Sequence, residues 1–75
     1  MQVQEDHLTE VVDAILRYLA SHPDAADTSD GIAKWWVPAD RGADGDAVLS
    51  ALARLEAQGL VHRRINADQH VLYSR

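Results

Sequence analysis

Three consecutive residues near the C-terminus, His62, Arg63 and Arg64, form the densest group of side chains that could bind an anion. An arginine guanidinium presents a planar fork of donors that matches phosphate oxygens. On a β-strand, alternation would send Arg63 to one face and both His62 and Arg64 to the other. Two arginines on an exposed strand are also an ordinary way to keep a sheet edge soluble. The pattern therefore predicts either a phosphate contact or a protected edge.

His70 and Asp68 follow this segment and could approach His62 across a hairpin to bind a metal ion. Two histidines fall short of the three or four protein ligands that zinc usually takes, and the chain has no cysteine. We therefore expect histidines on the surface and no metal site.

The sequence contains neither a glycine-rich phosphate loop nor a GxSxG nucleophile elbow. Acidic residues are abundant, but they fall at predicted helix starts and in loops, where capping and solubility explain them. We therefore expect no enzymatic activity, no cofactor and no small-molecule substrate.

The 75 residues are expected to form a single domain over 1–75, with 1–5 disordered. A chain this short hides only roughly 60% of its unfolded surface, so its core must be small. The absence of cysteine is typical of a reducing cytoplasm, and the acidic N-terminus is unlike a secretion signal. No apolar run approaches the roughly 18 to 20 residues that cross a bilayer. These features predict a cytoplasmic protein without membrane contact.

The net charge of −5 is unevenly distributed along the chain. Residues 1–53 carry ten acidic and three basic side chains, whereas residues 54–75 carry two acidic and four basic ones. Phosphate backbones attract positive surface and repel negative surface. Any nucleic-acid contact is therefore expected in the C-terminal third, and the overall acidity counts against strong nonspecific binding.

Helical spacing of apolar residues and the positions of capping residues predict three helices. The first helix is expected at about residues 7–21, capped by Asp6. The second is expected to be capped by Asp27 or Thr28 and to end at Val37-Pro38. The third is expected to be capped by Asp44 or Asp46 and to run to about Gln58. A short strand is expected at Ala26 to Thr28, and two more at 60–65 and 70–74 around a polar loop from Asn66 to Gln69.

The stretch from Asp44 to Arg64 combines an amphipathic helix, a stop at Gln58-Gly59-Leu60-Val61 and an arginine-rich strand. This arrangement resembles the winged helix-turn-helix superfamily. The resemblance implies an α+β fold of three helices followed by a C-terminal β-hairpin wing. The connector at residues 39–45 departs from it, being about twice the usual three or four residues. A three-helix bundle with a disordered tail is the other fold considered, and the strand-like Val71-Leu72-Tyr73 argues against it.

In DNA-binding members of the superfamily the third helix enters the major groove. Here its outward face offers Ser50 and Arg54 among alanines, so it has few side chains that read bases. Three interpretations remain open: base contact, a solvated alanine-rich face, and a surface on which a partner helix packs against Ala47, Ala53 and Ala57.

Trp35 and Trp36 are the chain's only tryptophans. Adjacent positions on a helix differ by about 100°, so one indole is expected to seal the core and the other to be partly exposed. An exposed tryptophan is typical of a binding hot spot, which makes Trp35 a candidate partner contact. Lys34 is either a phosphate neighbour or a surface charge.

The resemblance favours a small, non-enzymatic DNA-binding regulator that binds duplex DNA weakly as a monomer and would need to dimerise. Its candidate DNA contacts are Lys34, Ser50, Arg54, Arg63 and Arg64. The alternative is a protein-interaction module on the same scaffold that uses Trp35, Ala47, Ala53 and Ala57. The core is expected to contain Leu8, Val11, Val12, Ile15, Leu19, Ile32, Trp36, Val48, Leu52, Leu55, Leu60 and Val61.

Overall fold

The computed structural model describes residues 3–38 and 44–75, which form an α+β fold with three helical segments and a three-stranded antiparallel sheet. The elements in chain order are α1 (Val3–Ser21), β1 (Ala26–Asp27), α2 (Ser29–Gly31, continued by a π-helical turn at Ile32–Trp36), α3 (Gly45–Ala57), β2 (His62–Ile65) and β3 (Val71–Ser74). Within these ranges no helix is both long enough and apolar enough to cross a bilayer.

The first helix is longer than predicted. It begins at Val3, so residues 3–5 belong to the helix rather than to a disordered end, and Asp6 lies within it rather than at its cap. The helix packs through Val11, Ile15 and Leu19, which recur every four residues and are buried.

The second helix begins with a compact capping arrangement. Thr28 is the cap, since its Oγ1 accepts a hydrogen bond from the Gly31 amide at 3.1 Å. The Thr28 amide in turn donates to Asp27 Oδ1 at 2.8 Å. The Asp27 carboxylate lies so close to Gly31 that a Cβ at that position would collide with it. A side chain at position 31 would therefore require the Asp27 carboxylate to move, a constraint that the sequence did not reveal.

The third helix is capped at both ends as the sequence predicted. Asp44 Oδ1 accepts a hydrogen bond from the Ala47 amide at 2.8 Å. At the other end Gly59 adopts φ +75°, and the Gly59 and Leu60 amides donate to the Glu56 and Leu55 carbonyls at 3.0 Å each. These paired bonds form a Schellman motif, which turns the chain toward β2.

Replacing Gly59 with alanine is expected to lower the free energy of unfolding by about 1–2 kcal/mol, because alanine is strained at positive φ. Gly45, in the first turn of α3, is a matched control, since a Cβ there would meet no atom within 4 Å. Gly45→Ala should be neutral or slightly stabilising. Urea unfolding of both variants measures the difference, and equal costs would contradict this assignment.

The sheet has the strand order β1-β3-β2, so the last strand of the chain lies in the middle. β1 matches the predicted first strand, whereas β2 begins at His62, two residues later than expected. In the loop between β2 and β3, Asn66 Oδ1 accepts hydrogen bonds from the Asp68 and His70 amides at 3.0 Å each. These strands also exclude the alternative of a helical bundle with a disordered tail.

The core lies where α1, α2 and α3 meet the inner face of the sheet. Its buried residues are Val11, Ile15, Leu19, Ile32, Trp36, Val37, Val48, Ala51, Leu52, Leu55, Val61 and Tyr73. Leu8 and Val12 are only partly buried at its margin. The prediction for Leu60 is wrong, since this residue is 44% exposed. It follows Gly59 in the chain reversal, which directs it to a shallow surface groove rather than to the interior.

Candidate functional site

The outward face of α3 carries small and acidic side chains. Ser50, Ala53 and Ala57 are exposed, as predicted, and exposed Asp46 lies in the first turn. Helical spacing groups Leu49 with Val48, Leu52 and Leu55 on one apolar side of the helix. That prediction is wrong for Leu49, which is 46% exposed. This face therefore combines one large apolar side chain with small neighbours and a carboxylate.

Two predicted contact residues on α3 are less accessible than the sequence suggested. Ala47 is half-buried and packs against the core. Arg54 is half-buried in the last turn of the helix, where a cation is favoured by the helix dipole. The exposed part of α3 that remains for base reading is Ser50.

The arginines of β2 lie on opposite faces of the sheet, as alternation predicted. Arg63 is paired with Tyr73, whose ring is buried on the inner face, whereas Arg64 is paired with Leu72 on the outer face. Arg63 Nε lies 3.4 Å from Glu56 Oε2 of α3, so an acidic side chain already faces this cation. The two arginines therefore do not form one basic surface.

The tryptophan pair divides between interior and surface. Trp36 is 5% exposed, while Trp35 is 73% exposed and lies next to exposed Lys34. Trp36 stacks on Tyr18 with 4.7 Å between ring centroids, and Tyr18 stacks on His22 at 4.3 Å. The expectation that one indole is buried and the other exposed is confirmed.

The π-helical turn explains this division. The Val37 amide donates to the Ile32 carbonyl at 3.3 Å, a bond that spans five residues rather than four. The wider turn brings Trp36 and Val37, which are adjacent in sequence, onto the core beside Ile32. Trp35 is left on the outside. A prediction from α-helical periodicity could not reveal this turn, and it therefore missed the burial of Val37.

Two shallow depressions flank α1. One, of about 260 Å³, contains Tyr18, His22, Trp36 and Pro38 together with acidic residues of α1. Since Tyr18 is stacked on both sides, its ring faces are not free to hold a ligand. The other, of about 230 Å³, is the groove beside Leu60. In the part of the chain that the structure describes, no three acidic or histidine side chains are grouped to hold a metal ion.

No protein-family model matches the chain, and neither a curated protein nor a solved structure is similar to it. The residues and their geometry are therefore the basis of the functional proposal.

Proposed function

We propose that the chain is a non-enzymatic protein-interaction module on a scaffold that resembles a winged helix, with Trp35 as the anchor of the interface. The exposure of 73% at Trp35 is the observation that carries the proposal. An indole buries a large apolar area when a partner covers it, and tryptophan is enriched among the residues that dominate binding energies. In the monomer that apolar area faces water.

The outward face of α3 supports the same function. Ser50, Ala53 and Ala57 are small, so a partner helix could approach closely, and Leu49 supplies an apolar contact. The absence of long cationic side chains at these positions suits a protein partner better than a phosphate backbone.

Duplex DNA is the second candidate partner. The order of elements favours it, because α3 is followed by a β-hairpin that would correspond to the wing, and β1 pairs with that hairpin. The charges oppose it. Asp46 lies on the face that would enter the groove, Glu56 pairs with Arg63, and the net charge is −5. Of the predicted DNA contacts, Lys34 and Arg64 are the exposed cations without an acidic partner among the described residues.

A titration of labelled random duplex DNA at low and moderate salt separates the two candidates. We expect no measurable binding even at low salt, where electrostatic attraction is strongest. Binding that weakens steeply with salt and is reduced in both Lys34→Gln and Arg64→Gln would instead support the DNA-binding candidate.

Replacing Trp35 with alanine is expected to weaken binding of a purified partner by at least about 30-fold, as at a typical hot spot. The free energy of unfolding should change by less than about 0.5 kcal/mol, because the side chain is exposed. Leu60→Ala is the matched control, since it removes an exposed apolar side chain elsewhere. Partners would be found by capture, and their affinities would be measured with purified components. Equal losses of affinity in Trp35→Ala and Leu60→Ala would contradict the role of Trp35.

A further inference from the structure

The strand β2 is an edge of the sheet, and its outer side has no pairing strand among the described residues. The pairing pattern identifies the backbone groups on that side. The Asn66 amide donates to the His70 carbonyl, and hydrogen-bonded pairs in an antiparallel ladder recur at every second residue. The N–H and C=O groups of Arg64 and His62 therefore face β3, while those of Arg63 and Ile65 point to the open edge.

The side chains around these groups combine positive charge with apolar surface. Ile65 is 69% exposed, so an apolar side chain faces water beside the open edge. Arg64 makes no ion pair with any part of the chain that the structure describes. Arg63 is engaged by Glu56, so the charge that would protect this end of the edge is partly neutralised.

We propose that the open edge of β2 binds an extended peptide of a partner protein, antiparallel to β2, in which acidic and apolar residues alternate. The carbonyls and amides of Arg63 and Ile65 would form main-chain hydrogen bonds with it, which is how sheet edges recognise strands. An acidic residue of the peptide would lie opposite Arg64 on the outer face of the sheet, and an apolar residue opposite Ile65 on the inner face. This surface is separate from Trp35 and does not depend on the proposed function.

A second copy of the chain fits the same edge poorly. The antiparallel registers that pair most of β2 with itself about a two-fold axis would place Arg64 opposite Arg64, or Arg63 opposite Arg63. The register that places Ile65 opposite Ile65 would pair only the last residue of the strand with itself. Like charges directly opposite each other are destabilising across a sheet. The charges on β2 therefore favour an acidic strand over self-association.

Duplex DNA is also a poorer occupant. A phosphate backbone would use the arginine side chains but would leave the outward amides and the exposed Ile65 side chain without partners. Glu56, beside Arg63, would repel the phosphates. An extended peptide satisfies the backbone groups and covers the apolar side chain together.

The first test is a titration of the ¹⁵N-labelled protein with a capped seven-residue peptide that alternates glutamate and valine. We expect chemical-shift changes and slower amide exchange at Arg63 and Ile65, because these amides would become hydrogen-bonded. Methylating the valine nitrogens should abolish binding, since the valines lie opposite Ile65 and donate toward β2. Methylating the glutamate nitrogens should leave binding intact, because those amides point away from β2.

Two pairs of variants test the groups on the protein. Ile65→Pro removes an outward amide without removing a bond to β3, and proline is tolerated at sheet edges, so it should weaken peptide binding about tenfold. Ile65→Ala retains the amide and should have a smaller effect. Arg64→Gln should weaken binding about two- to fivefold, whereas Arg17→Gln, an equal charge change on α1, should not.

Several outcomes would overturn the proposal. Equal effects of the two methylated peptides would show that binding does not occur through the strand edge. If, in the absence of peptide, protection of the Arg63 and Ile65 amides from exchange rises with protein concentration, the edge would be assigned to a second copy. Salt-sensitive shifts at these residues with random duplex DNA, and none with the peptide, would assign it to nucleic acid. None of these outcomes involves Trp35, so failure of this proposal is distinguishable from failure of the proposed role of Trp35.

Discussion

Replacing Leu52 with alanine should lower the free energy of unfolding by about 2–5 kcal/mol, the range observed for truncating a buried leucine. Leu52 is fully buried in the middle of α3, where it joins the helix to the core. Natural domains of this size have a total stability of only roughly 4–11 kcal/mol. We therefore expect Leu52→Ala to lose a large fraction of the free energy of unfolding, as measured by urea titration followed by circular dichroism.

Leu49→Ala is the control for this prediction. It makes the same chemical change in the same helix, but at a side chain that is nearly half exposed. We expect a cost below about 1 kcal/mol, because less apolar area is lost from the interior and no enclosed cavity forms. Equal destabilisation by the two variants would show that the structure assigns the buried face of α3 wrongly.

Replacing Trp36 with alanine should cost about 3–5 kcal/mol, as expected for loss of a buried tryptophan. The side chain is almost fully buried, and its stacking on Tyr18 adds about 0.5–1.5 kcal/mol beyond the burial of area. Calorimetry or chemical unfolding gives the loss of stability. The near-ultraviolet circular dichroism should weaken as well, because the fixed contact between the two rings is lost.

Trp35→Ala provides the comparison, since it removes the neighbouring indole from the surface. Its unfolding free energy should remain within about 0.5 kcal/mol of the unmodified protein. Two phenylalanine variants should also differ in fluorescence. Trp36→Phe retains the exposed indole with red-shifted emission, and Trp35→Phe retains the buried one. Red-shifted emission from both variants would contradict the burial of Trp36.

Much of the secondary structure could be predicted because local chemistry determines it. Asp44 and Thr28 cap helices through their own side chains, and Gly59 ends α3 through its own backbone conformation. The predictions failed where the result depends on tertiary packing. Leucine is a residue type typical of a protein core, but the direction of the Leu60 side chain is set by how the chain leaves Gly59.

The candidate site was predictable to a similar degree. Alternation was sufficient to separate Arg63 from Arg64, because it depends only on the strand itself. The pairing of Arg63 with Glu56 was not, since it depends on how β2 crosses α3. The open backbone groups of β2 also became apparent only when the strand order was known.

The π-helical turn at Ile32–Trp36 determines which indole the protein displays. At ordinary α-helical pitch Val37 would lie roughly 140° around the axis from Ile32, away from the interior, and Trp35 would rotate toward it. The extra residue in this turn is therefore what keeps Trp35 outside.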